Sequence, residues 1–192
     1  MNAKLLLLSA VCLAASASAA SPWSVRFGAT YLSTVDDSTN SAVPVKIEDK
    51  LIPEIDITYA FTPHWAAELV LTVPQEHEVE SAGVKLGTFK HLPPTLLAKY
   101  TFNPADDFRV YVGAGVNVTF IFDDDLGALK LDNLSVGPAG QVGVDYVINE
   151  RWSLNADVKR TVIRTDVKLG GNTLTEARLD PWLYSLGLRY QF

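Results

Sequence analysis

The chain has 192 residues, 48% of them hydrophobic and 20% charged, with a net charge of −6 at pH 7. That is ample for one domain, and the acidic excess argues against a nucleic-acid surface. A single cysteine, Cys12, excludes an internal disulfide framework.

Residues 1–20 read as a cleaved signal peptide. Lys4 supplies a minimal positive start, Leu5–Ala15 an apolar core and Ala17-Ser18-Ala19 a small-residue cleavage site, with cleavage after Ala19 or Ala20. The apolar run is too short for a membrane helix. Cys12 lies inside it behind Val11, where a lipid anchor would need a small residue. Removing Lys4 with the leader leaves 15 basic residues against 22 acidic ones and no thiol. The expected mature unit is therefore 21–192.

The mature part is organised by aromatic residues. Trp23, Trp65, Phe108 and Trp152 open four segments, spaced 42, 43 and 44 residues apart, and Phe61, Phe102, Tyr146 and Phe192 close them. Short polar connections follow the first three closers, so the chain makes four up-and-down excursions with all markers at the short-turn end. Within each excursion apolar and polar residues alternate, the period of a strand with one greasy face. Four hairpins predict an all-β fold: an eight-stranded antiparallel transmembrane barrel with four extracellular loops and short periplasmic turns.

In chain order, strand one turns Trp23, Val25, Phe27, Ala29 and Tyr31 outward, and strand two Ile55, Ile57, Tyr59 and Phe61. Strand three turns out Trp65, Ala67, Leu69, Leu71 and Val73, and strand four Leu96, Ala98, Tyr100 and Phe102. Strand five is the longest clean run, Phe108 to Phe120, and strand six turns out Val142, Val144 and Tyr146. Strand seven presents Trp152, Leu154, Ala156 and Val158, then Arg160, which falls near the outer rim of the apolar band. Strand eight presents Trp182, Tyr184, Leu186, Leu188 and Tyr190 and ends at Phe192. The last two aromatics, Tyr190 and Phe192, are the expected signal for the outer-membrane insertion machinery. The connections Ser33–Leu51, Pro74–His91, Asp123–Asn133 and Val167–Glu176 carry acid clusters and turn formers and read as extracellular loops.

The same parity sends ten charges inward on the periplasmic side: Arg26, Glu54, Asp56, Glu68, Lys99, Arg109, Asp145, Asp157, Lys159 and Arg189. Five are positive and five negative. In a narrow lumen such a set should pair into a salt-bridged plug, because an unpaired buried charge costs several kcal/mol. Glycines 28, 113, 115, 137, 143 and 187 also point inward and make room for long side chains. Higher up, the inward residues become apolar: Leu32, Ile52, Ile121, Ile163 and Leu183. An apolar funnel above a charged plug suits a small hydrophobic ligand arriving from outside. The same residues would also form an ordinary core if the loops folded down. Pro94, Pro138 and Pro181 lack the N–H of a ladder rung and mark candidate lateral seams.

Other chemistry finds little footing. His64, His77 and His91 are scattered without metal-ligand spacing, and Asp123-Asp124-Asp125 with Asp132 lacks the glycine-centred calcium-loop pattern. Gly113-Ala114-Gly115 precedes no helix, so it is not a dinucleotide site. No cofactor is implied. A lipid A deacylase or acyltransferase would need a histidine beside a serine or aspartate near the membrane plane, and the pattern offers none. A structural or adhesive barrel would have a lumen polar throughout.

Five segments carry a family resemblance: Pro94 to Tyr100, Tyr111 to Asn117, Gly140 to Tyr146, Leu154 to Lys159 and Leu179 to Trp182. Together, in this order, they resemble the outer membrane protein W (OmpW/AlkL) family over essentially the whole mature chain. The resemblance implies an outer-membrane barrel with a hydrophobic channel for small hydrophobic molecules, embedded in outer-membrane lipid and lipopolysaccharide. It also implies that some members serve as colicin receptors.

Overall fold

The computed structural model of the chain describes residues 21–33, 49–81, 84–125, 129–169, 172–178 and 180–192. The expected leader and the acid pair Asp36-Asp37 lie outside them. Thirteen strands follow in order: β1 Trp23–Ser33, β2 Lys50–Ala60, β3 Trp65–Thr72, β4 Gln75–Ser81, β5 Val84–Leu92, β6 Thr95–Thr101 and β7 Phe108–Asp125. Then come β8 Leu129–Leu131, β9 Leu134–Val147, β10 Trp152–Thr161, β11 Arg164–Leu169, β12 Asn172–Arg178 and β13 Trp182–Gln191.

Eight of these strands close a barrel. The order β1-β2-β3-β6-β7-β9-β10-β13 is antiparallel throughout, and β13 returns to pair with β1 from Ser24↔Gln191 to Ser33↔Trp182. Closure leaves no barrel strand with an open edge, the condition for placing backbone in lipid. Ser21 and Phe192 are tied together and into the wall, Ser21 N donating to Phe192 O at 2.9 Å and Phe192 N to Trp23 O at 3.2 Å. Parity holds along every barrel strand. On β1, for example, Ser24, Arg26, Thr30 and Leu32 are buried while Trp23, Phe27, Ala29 and Tyr31 are exposed.

The short turns are held by their own polar side chains. Thr62 Oγ1 accepts from Trp65 N at 2.9 Å, Asn103 Oδ1 from Val110 N at 2.8 Å, and Asn149 Oδ1 from Trp152 N at 3.0 Å. Each side chain satisfies a backbone N–H that the turn would otherwise leave unbonded. Above the turns an aromatic belt repeats one motif. Edge-to-face pairs join Trp23–Tyr59, Trp65–Tyr100 and Trp152–Tyr190, with ring centroids 4.8, 4.9 and 4.9 Å apart. Such amphipathic rings sit at a membrane interface.

At the other end the chain departs from expectation. Much of three segments read as loops is strand. β4 and β5 form a hairpin that continues the β3–β6 pair and attaches to β7 at Lys90↔Phe122 and His91↔Ile121, and β7 itself runs on to Asp125. β11 and β12 form a second hairpin that pairs with β8 in a separate three-stranded sheet. With β8, these ribbons bury polar His91 and Thr165 alongside Phe89 and Leu131, so the strict apolar–polar alternation that marks a membrane strand is lost there.

Two ladders break just below these ribbons. Between β3 and β6, pairing stops at Val70↔Thr95 and restarts at Gln75↔His91, with Pro74 on one side and Pro93-Pro94 on the other. Between β10 and β13 the last paired rung is Arg160↔Trp182, and among the described residues pairing is next found at Arg164↔Arg178, between β11 and β12.

Candidate functional site

The lumen is built in two storeys. In the lower one, nine of the ten inward charges meet, with Arg26 on one rung between its cross-strand partners Asp56 and Arg189. Arg26 pairs with Glu54 and, at 2.5 Å, with Asp56; Lys159 lies 2.8 Å from Glu54 and 2.6 Å from Asp157. Lys99 lies 3.3 Å from Glu68 and 3.5 Å from Asp145, and Arg189 lies 3.2 Å from Glu68 and 3.3 Å from Asp145. All nine are buried. Tyr111, fully buried, fills the middle: Asn155 donates to its hydroxyl at 2.8 Å and Lys99 Nζ sits 3.5 Å from its ring centre.

Arg109 is the correction. It is half-buried at the periplasmic rim, and its Nε donates to the Asp106 carbonyl at 2.9 Å. The reason is height: Arg109 is the first inward residue after its turn, level with the open lower mouth. The buried cluster therefore holds four cations and five carboxylates rather than a balanced ten. Three of the carboxylates, Glu54, Asp56 and Asp157, have oxygens within 4.8 Å of one another, close enough to ligate a cation. Arg26 and Lys159 already occupy that space.

Glycine decides how this fits. A Cβ on Gly143 would lie 2.5 Å from the Tyr111 ring, and one on Gly28 would lie 2.5 Å from the Leu186 carbonyl oxygen. Only a residue without a side chain leaves those places open.

The upper storey is a small cavity of ≈ 30 Å³ resting on Glu54 and Lys159. Leu32, Ile52, Ile163 and Leu183 line it, as parity expects; Ile121 is buried higher, opposite His91 on β5. Val70, Pro93 and Asn117 belong to the lining too, and sequence reading left them out. Val70 stood in plain view as the inward residue between Glu68 and Thr72. Asn117 has a task that no local pattern announces. Its Nδ2 donates to Pro93 O at 3.1 Å, satisfying a carbonyl at the β3–β6 break.

The cavity touches both breaks, through Thr72, Gln75 and Pro93 on one side and Thr161, Ile163 and Pro181 on the other. The three seam prolines take different parts in this. The Pro94 carbonyl accepts from Val118 N at 2.9 Å, so its missing rung falls in the β6–β7 ladder. Pro138 and Pro181 flank the top of β10, accepting from Val162 N at 3.0 Å and Thr161 N at 3.4 Å. Pro138 is exposed and is not part of the cavity lining.

His91 stands eleven residues beyond Phe102, roughly 27 Å up at about 2.5 Å per tilted residue, above an apolar band of about 25 Å. Burial, with Lys50 nearby, pushes its imidazole down to about 4. His64 is at the opposite end, stacked on Tyr100 with ring centres 5.5 Å apart, so the two do not meet.

Comparison with known proteins agrees with this architecture. The family model described as OmpW family matches residues 21–192. The chain is 38% identical over 185 residues to the uncharacterized outer-membrane protein y4mB of Sinorhizobium fredii, covering 90% of this chain and 80% of that one. It is 28% identical over 194 residues to the dibenzothiophene metabolism operon protein PahQ of Pseudomonas aeruginosa, covering 90% and 89%. Among solved structures it resembles the outer membrane protein OprG of Pseudomonas aeruginosa (TM-score 0.73, 30% identity, 90% of this chain and 97% of that one). It also resembles AlkL in lipid bilayers (TM-score 0.69, 25% identity, 93% and 94%).

Proposed function

This chain belongs to the OmpW family of outer-membrane proteins, and on that footing we propose that it is a passive conduit for small hydrophobic molecules. A solute enters from outside, collects on Leu32, Ile52, Val70, Ile163 and Leu183, and leaves sideways into the membrane. No catalytic step is part of this reading. The observation that carries it is the position of the apolar cavity, above a closed charged floor and against two interruptions in the wall.

Magnitudes favour the sideways route. A solute burying about 150 Å² of apolar surface gains about 4 kcal/mol. Passing downward means separating several buried ion pairs, at about 3–5 kcal/mol for each one broken. Parting the wall at the two breaks sacrifices little, since among the described residues only the Thr161 N–Pro181 O bond, at 3.4 Å, joins the β10 and β13 sides beyond Arg160↔Trp182. The cavity's ≈ 30 Å³ has room for about two waters, so a solute must spread the walls to enter. The unladdered stretches are where spreading is cheapest. The name of the relative PahQ, which refers to the metabolism of an apolar heterocycle, is in keeping with such a cargo.

The test is uptake of naphthalene by cells that have an intact outer membrane and no other hydrophobic channel. Expression of the chain should raise the rate, and Leu32→Asp should abolish the gain while the barrel still inserts and shifts on heating. Equal uptake by the inserted Asp variant would sink the conduit and leave a structural or colicin-receptor barrel.

A further inference from the structure

The outer wall carries a second feature, on the face turned away from the lumen. A shallow depression of ≈ 430 Å³ runs across β9, β10 and β13, lined chiefly by Val142, Val144, Ala156, Val158, Tyr184 and Leu186. It exists because the outward residues on β9 and β10 are short, whereas Tyr184 and Leu186 on β13 stand proud as a rim.

Arg160 stands at the upper end of this groove, one outward position above Val158. It is exposed, and its guanidinium carbon lies 4.9 Å from the centre of the Trp182 ring, its cross-strand partner. Among the described residues no carboxylate lies within ion-pairing distance of it. It sits about 20 Å above Trp152, at the outer edge of the apolar band. An arginine held against a tryptophan face keeps its planar donor fork free for a bidentate anion such as phosphate. Arg164, also exposed, follows four residues further along the chain.

We propose that this groove and Arg160 form a binding site for a phosphorylated glycolipid of the outer leaflet, one acyl chain lying in the groove and one phosphate on the guanidinium. The orientation selects the leaflet. Arg160 is on the side of the long ribbons, which in such barrels faces outward. The charge selects the headgroup, since a cation with no carboxylate partner among the described residues, at that depth, is matched by an anion from the lipid. The groove selects one ordered chain over generic solvation, because Ala156 leaves a recess that a larger residue would fill.

The experiment uses the full mature chain refolded in detergent, mixed with diphosphoryl hexa-acyl lipid A and read by native mass spectrometry. Wild-type barrel should retain lipid A at least tenfold better than Arg160→Gln and than Ala156→Leu. Arg151→Gln, which removes an exposed arginine at the periplasmic end, should retain it as wild type does. Dephosphorylated lipid A and phosphatidylglycerol should each bind wild type at least tenfold more weakly. Equal retention by wild type and Arg160→Gln overturns the site, as does equal binding of phosphatidylglycerol, which would signify ordinary surrounding lipid. If Arg160→Gln fails to fold, the comparison of the two lipid A forms on wild type decides alone.

Discussion

Glu68 on β3 and Arg189 on β13, 121 residues apart in the chain, meet with 3.2 Å between Oε2 and Nη2. The two strands are not neighbours in the wall, so this contact spans the lumen. Glu68 also accepts from Lys99, Thr58 and Gln141, at 3.3, 3.0 and 2.8 Å, which makes it the point where four strands are tied to a fifth.

Arg189→Ala should destabilise the barrel by about 3–5 kcal/mol, since it leaves Glu68 and Asp145 short of a partner in a dry interior. Removing both ends, Arg189→Met with Glu68→Gln, should cost less than Arg189→Ala alone. Urea unfolding in lipid vesicles measures both. A wild-type midpoint for Arg189→Ala would mean that the lower lumen is wet.

Gly143→Val should destabilise by about 1–3 kcal/mol, because its side chain would enter the Tyr111 ring. Gly143→Val with Tyr111→Ala should recover part of that loss, as the offending ring is gone. An additive double mutant would show that Gly143 is needed for some other reason.

Deleting Phe192 removes the backbone bonds that tie the chain end to Ser21 and Trp23, and the ring that packs on Tyr190 at 5.2 Å. Membrane-inserted, heat-modifiable protein should fall sharply in cells. Insertion at the wild-type level would show that the machinery does not read this aromatic end.

Acid should weaken the upper end of the barrel through His91. Its folded value of about 4 lies below the ordinary 6.5, so the unfolded chain takes up the proton first as pH falls. Stability is therefore full above about 6.5 and declines between there and 4, by about 3 kcal/mol at most. His91→Gln should flatten the unfolding free energy across that window. An unchanged slope in the variant would assign the acid response to other groups.

How much of this was legible in the sequence differs by level. The eight barrel strands, the side each residue faces and the aromatic belt all follow from a period of two read against lipid, which accepts only apolar groups and so writes its boundary into the chain. The inward placement of Arg26, Glu54 and Lys159 was readable for the same reason. Their pairing was not: parity says which way a side chain points, while its partner depends on the stagger of strands across a closed wall. Arg109 shows the limit, since its parity matches theirs and only its height at the open mouth keeps it out of the cluster. The β4–β5 and β11–β12 ribbons stayed hidden because no lipid face forces apolar alternation on them, and their buried positions mix polar His91 and Thr165 with Phe89. The prolines announced that rungs were missing, but which ladder lost them, and that two breaks open on one cavity, was decided by the register of strands distant in sequence.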